Sequence, residues 1–217
     1  GPQQTLFVPG CWLREGKNEI YVLDLLGCKE PVIKGLETPI LDDLRSGDSK
    51  AGAKKVIDLK SETAVHEGSF AHEGGWQEVR FDKPAEGRYF CLEMLSLQNE
   101  GEKAAIAELD ILGSDGKPVS RENWKISFVD SEDSEDGNHS GDKVFDLQES
   151  TFWSAAAGEK CPHQLVIEME NNIPVTGFRY LSRAESGCPG MIKDYKVYLR
   201  QYDFTYVVAD ETAVNEG

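Results

Sequence analysis

A chain of 217 residues with 39% hydrophobic and 9% aromatic content can bury a sizeable core, and its composition is that of a globular protein. Its 23 Lys and Arg against 39 Asp and Glu leave a net charge of -16, which repels phosphate backbones and anionic lipid. Nucleic-acid and membrane-surface partners are therefore disfavoured at the outset, and no apolar run approaches the roughly 20 residues that span a bilayer.

In chain order, EIYVLDLL (19–26) is a β-rich run ended by Gly27. Residues 27–55 then mix Pro, Gly and charge like a linker. WQEVRF (76–81) alternates, with Trp76, Glu78 and Arg80 on one face and Val79 and Phe81 on the other. GRYFCLEMLS (87–96) places Phe90, Leu92 and Met94 together, and AAIAELDILG (104–113) follows as another strand. DSEDSEDGNHSGD (130–142) is a low-complexity acidic stretch, either a solvated loop or a carboxylate rim around a cation or ligand. HQLVIEME (163–170) sets Leu165, Ile167 and Met169 against Gln164, Glu168 and Glu170. VTGFRYLSR (175–183) and IKDYKVYLR (192–200) continue the pattern, Tyr195, Val197 and Leu199 sharing one side.

Turn chemistry sits between these runs, at KPAEG (83–87), SDGKP (114–118), ENNIP (170–174) and SGCPG (186–190). Period-2 alternation in short, evenly spaced runs predicts an all-β chain, a β-sandwich or jelly roll. The chain opens on GPQQTL with no signal-peptide pattern and starts mid-pattern, as a piece of a longer protein would.

The chemistry-bearing residues are sparse. Five cysteines (Cys11, Cys28, Cys91, Cys161, Cys188) form no C-x-x-C pair. Cys91, inside an alternating strand, reads as a buried hydrophobe, while Cys161 and Cys188 lie in Pro/Gly loops where a disulfide is open but undecided. Four histidines (His66, His72, His139, His163) match no metal-ligand spacing. No nucleophile elbow or phosphate loop is present, so no catalytic residue is assigned.

Residues 1–25, through GPQQTL (1–6), PGCWL (9–13) and GKNE (16–19), resemble the closing strands of the C-terminal jelly roll of glycoside hydrolase family 35 β-galactosidases. That resemblance implies that residues 1–45 finish a parent enzyme's jelly roll, whose catalytic barrel would be a partner and whose location would be periplasmic or extracellular.

Residues 46–217 resemble a discoidin-like, galactose-binding-domain-like sandwich, the fold of coagulation-factor C-type domains and family 32 carbohydrate-binding modules. WKISFVDSE (124–132), VFDLQESTFWSA (144–155), FRYLSR (178–183) and IKDYKVYL (192–199) resemble its first half. GSFAHEGGWQEVRF (68–81), EGRYFCLEMLS (86–96) and AAIAELDILG (104–113) resemble its second. The end therefore precedes the beginning, as in one circularly permuted sandwich joined through GSDGKPVSREN (113–123). The rival is two incomplete sandwiches with open edges.

The resemblance implies one structural calcium ion at DLQESTFW (146–153), held by Asp146, the Thr151 hydroxyl, Glu108 and the carbonyls of Lys143 and Gln148. Leu147 stands where the family has Gly and Gln148 where it has Asp; the alternative is a turn in which Asp146 and Thr151 bond backbone amides. It also implies a galactose-type glycan site. Arg183 matches the family's Arg, Ser154 stands at its His position and Pro189 at its Asn position. Trp76, Tyr180 or Phe152 would supply the stacking platform, while Trp153 reads as core. The functional expectation is a non-catalytic module that tethers the parent enzyme to a polysaccharide; the alternative is a structural module that binds no sugar.

Overall fold

The computed structural model of the protein describes residues 55–208. The strand expected at 19–26, residues 1–45, Cys11 and Cys28 lie outside the described residues. The described residues form ten strands, β1 (Lys55–Ile57), β2 (His66–Ser69), β3 (Trp76–Met94), β4 (Ala105–Ile106), β5 (Glu108–Leu112), β6 (Lys125–Val129), β7 (Trp153–Ser154), β8 (His163–Leu181), β9 (Asp194–Arg200) and β10 (Tyr206–Val208). A 3-10 turn at Gly141–Phe145 precedes the Asp146 loop.

β3 and β8 organise the molecule. They run antiparallel along nearly their whole length, from Trp76 opposite Leu181 to Met94 opposite His163. Register shifts between Arg80 and Ala85 and between Gly87 and Tyr89 bend this pair midway. The later limb of β3 pairs with β9, which carries β2 on its far edge, and the first limb of β8 pairs with β6. The second limb of β8 lies between β5 and the first limb of β3. One long pair thus serves both layers of a β-sandwich.

This corrects the reading of KPAEG and ENNIP as turns between separate strand runs. Ala85, Glu86 and Gly87 stay opposite Val175, Pro174 and Ile173, so their Gly and Pro residues mark a corner within paired strands. The bend needs a glycine at 177, because a Cβ there would overlap the Val79 carbonyl oxygen.

One core lies between the layers. Phe90, Leu92, Leu165 and Ile167 from one limb join Leu109, Ile111, Phe178 and Tyr180 from the other, all fully buried. The Phe90 and Phe178 rings meet across it at 5.6 Å, and Phe70 stacks on Tyr180 at 4.4 Å and on Tyr195 at 4.3 Å. Trp153 fills the same core, its Nε1–H donating to the Ser131 carbonyl at 2.9 Å. A second cluster of Ile57, Cys91, Val166, Tyr198 and Phe204 packs on the outer face of the β3–β8–β9 sheet. There the Gln164 amide accepts from Ile57 N–H at 2.6 Å and donates to its carbonyl at 3.2 Å, tying β1 to the sheet. Residues 66–113 and 121–208 therefore share one hydrogen-bonded ladder and one apolar interior. No helix among the described residues is long and apolar enough to cross a membrane.

Candidate functional site

β8 ends at Leu181 and delivers Arg183 to a corner beside the strand-ending loops. The Arg183 guanidinium lies 3.8 Å from the centre of the Phe152 ring, and the His139 imidazole is stacked on the same ring at 4.2 Å and 14°. Two planar groups at those spacings cannot share one face, so Arg183 and His139 sandwich Phe152. The His139 Nδ1 lies 3.3 Å from the Phe152 carbonyl oxygen. Arg183 also pairs with Glu185 at 2.5 Å, and its side chain keeps 20% of its surface exposed. Its Nε is buried without a hydrogen-bond partner.

His139 reaches this corner because the acidic stretch folds back on itself. Asp133 and His139 form an isolated bridge, Glu132 accepts from Gly141 N–H at 2.6 Å, and the Asp133 carboxylate is buried against Lys103 at 2.5 Å. That hydrogen bond from Lys103, with backbone N–H groups of Glu135 and Asp136, holds the Asp133 carboxyl below its usual range. The stretch is thus a tied loop rather than a purely solvated one.

Four expected ligand residues are placed differently from the sequence reading. Tyr180 is fully buried, its hydroxyl accepting from Ile192 N–H at 3.2 Å, and burial pushes its phenol well above its usual value; it is no platform. Ser154 is 1% exposed on β7 opposite Ala105, its hydroxyl spent on the Ala155 carbonyl, so it cannot stand in for a ligand-binding His. Trp76 is partly exposed, but the Arg179 guanidinium covers one ring face at 4.6 Å and its Nε1–H donates to Glu149 at 3.2 Å. Phe152, sandwiched on both faces, is likewise closed to a sugar. Cys188 is a free thiol.

The Asp146 loop is a second centre. Leu147 has φ of 63°, the left-handed conformation that favours Gly, so the loop keeps that backbone despite its side chain. The Asp146 carboxylate accepts from the Thr151 hydroxyl at 2.8 Å and Gln148 N–H at 3.0 Å, with the Lys143 ammonium at 3.4 Å. Glu108, at the start of β5, is 1% exposed. One of its oxygens faces Arg121 and the other, Oε1, is buried with no partner. Burial raises its pKa, opposed by Arg121 and reinforced by the nearby Asp146 charge. An orphaned buried carboxylate oxygen beside a second carboxylate, a hydroxyl and a turn carbonyl suits a hard cation. Among the described residues no group of three or more His, Cys, Asp or Glu side chains is placed to hold a metal ion, and the Lys143 ammonium already supplies a positive charge to Asp146.

Behind this loop runs a buried ionic chain that the sequence did not disclose. Arg121, from the connection after β5, bridges Glu108 and Asp110, bonding Asp110 through Nε at 2.9 Å, and Arg179 Nε holds the other Asp110 oxygen at 3.0 Å. No spacing rule flags Arg121; only the β5–β8 register, with Asp110 opposite Arg179, brings these groups together.

The family comparison bears on this geometry. Residues 127–217 match the F5/8 type C domain. This is a family of non-catalytic, carbohydrate-binding-type modules that generally bind glycans or other ligands. The F5/8 type C match begins inside β6 and contains the Asp146 loop, Phe152 and Arg183, but none of β1 to β5. The strand between β8 and β9 is β3, so the matched segment completes its sheet with residues that precede it. No curated protein matches the chain.

Proposed function

We propose that residues 55–208 form one circularly permuted discoidin-type module that binds a glycan without chemistry and tethers a β-galactosidase-like parent enzyme outside the cytoplasm. The observation that carries the binding reading is Arg183, a partly exposed guanidinium held by Phe152 and His139 inside the segment that matches the family. A guanidinium fixed before the ligand arrives can give bidentate bonds to vicinal hydroxyls at little ordering cost. A galactose-type sugar would displace Glu185 and use the imidazole of His139, in place of the buried Ser154, as its second polar contact. Calcium, when bound, would supply a fixed positive charge that rigidifies the Asp146 loop. Glu108, Asp146, Thr151 and the Gln148 carbonyl would hold it.

Calorimetry with galactose and lactose tests the reading: heat that disappears in Arg183→Ala supports it. A purely structural module is the second reading, favoured by the two covered faces of Phe152 and the ion pair that already engages Arg183. No heat with any sugar would leave that reading standing.

A further inference from the structure

Beyond the end of β8 the chain makes a tight turn. Cys188 N–H donates to the Glu185 carbonyl at 2.9 Å, with Gly187 at φ of 83°, the left-handed conformation such a turn requires. The turn fixes the backbone of Glu185, whose carboxylate meets Arg183 Nη2 at 2.5 Å. No other ion pair to Arg183 is formed among the described residues. Lys103, the neighbouring cation whose charge reaches Arg183, is spent on the buried Asp133 at 2.5 Å.

The guanidinium offers a ligand only part of its hydrogen-bonding edge. Its Nε is sealed from solvent without a partner, so no ligand reaches that nitrogen. The Phe152 ring at 3.8 Å covers one of its faces and holds it in place. A two-pronged grip must therefore use Nη1 and Nη2, and Glu185 already holds Nη2. Any ligand gripped in that way has to take Nη2 from Glu185.

What replaces Glu185 then decides the affinity. A hydroxyl offers a neutral hydrogen bond in exchange for a charge-assisted one roughly twice as strong, whereas a carboxylate offers like for like. Releasing Glu185 costs little, because 54% of its side-chain surface is already exposed. Swinging that side chain into solvent also carries its charge away from the incoming one.

Resting on the reading of Arg183 as a glycan contact, we infer that Glu185 sets the specificity of this site. It is a tethered carboxylate that the ligand must replace, and the sugar that replaces it best carries a carboxylate of its own, a uronate unit.

Calorimetry of the intact chain with galacturonate, galactose and acetate tests this. Galacturonate is expected to bind about fivefold or more tighter than galactose, and tighter than acetate, which lacks the ring contacts. Glu185→Gln, at an exposed position, removes the tethered charge. It should tighten galacturonate binding about fivefold, the worth of an exposed ion pair of about 1 kcal/mol. The inference is overturned if galacturonate does not bind, if galactose or acetate binds as tightly, or if Glu185→Gln leaves the galacturonate affinity unchanged. The two proposals fail separately. Arg183-dependent heat from galactose, with galacturonate no tighter, refutes this one alone. Galacturonate heat with none from galactose refutes the neutral sugar named above and leaves this one standing.

Discussion

Replacing Leu147 by Gly isolates the backbone cost of the Asp146 loop. At φ of 63° an L side chain crowds its own carbonyl, a penalty of about 1–2 kcal/mol. Leu147 is 75% exposed, so its removal forfeits little apolar burial. Against the relief stands the extra freedom of Gly in the unfolded chain, about 0.5–1 kcal/mol. The net expectation is a gain of about 0.5–1 kcal/mol, or a rise in melting temperature of about 1–4 °C for a domain of this size. Urea unfolding followed by tryptophan fluorescence measures it, with the slope unchanged because the exposed surface is unchanged. A loss of about 1 kcal/mol or more would show that the Leu147 side chain makes contacts the exposed geometry denies, and the strain argument would fail.

Other perturbations probe the corner, the ionic chain and the loop. Gly177→Ala should destabilise by about 3 kcal/mol or more in the same assay, since the β3–β8 pair must part at Val79 to admit a methyl group. Arg121→Leu leaves Glu108 and part of Asp110 buried without a cation and should cost about 3–5 kcal/mol, read as a lowered urea midpoint. The raised Glu108 pKa means the folded state holds its proton more tightly than the unfolded chain. Its contribution to stability therefore falls as pH rises from the unfolded carboxyl value through the folded one, and returns on acidification. Glu108→Gln should flatten that part of the stability–pH curve; an unchanged curve would contradict the assignment. If the loop takes calcium, a hundredfold excess over its dissociation constant should stabilise the protein by about 2.7 kcal/mol, with EDTA reversing the shift.

Alternation read directly from the chain located most of the sandwich. Phe90, Leu92 and Met94, and Leu165, Ile167 and Met169, point inward as their period-2 spacing requires, and Trp153 is core. Strand continuity was not legible: Gly87 and Pro174 are turn residues by composition, yet both sit in the paired β3–β8 ladder, and Pro84 falls in a register shift within β3 rather than at a strand end. Whether Gly or Pro ends a strand or bends it depends on what lies opposite, which local sequence does not carry. The site was legible only where one residue suffices. Arg183 follows the end of β8 and is partly exposed, whereas Tyr180 alternates into the core from that same strand. His139, Arg121 and the Asp130–His163 pair depend on contacts between residues 11 to 69 positions apart in the chain and on loop packing, so no periodicity announces them.

The central claim is that the strands before residue 113 complete the interior of the later segment, whose residues 127–217 match the F5/8 type C domain. Thermal unfolding of residues 117–217 expressed alone tests it most directly. The fragment should show no cooperative transition and should regain one when residues 55–116 are supplied in trans, because β3 and β5 then re-form their ladders with β8 and β9. A sharp, reversible melt from 117–217 alone would contradict the account.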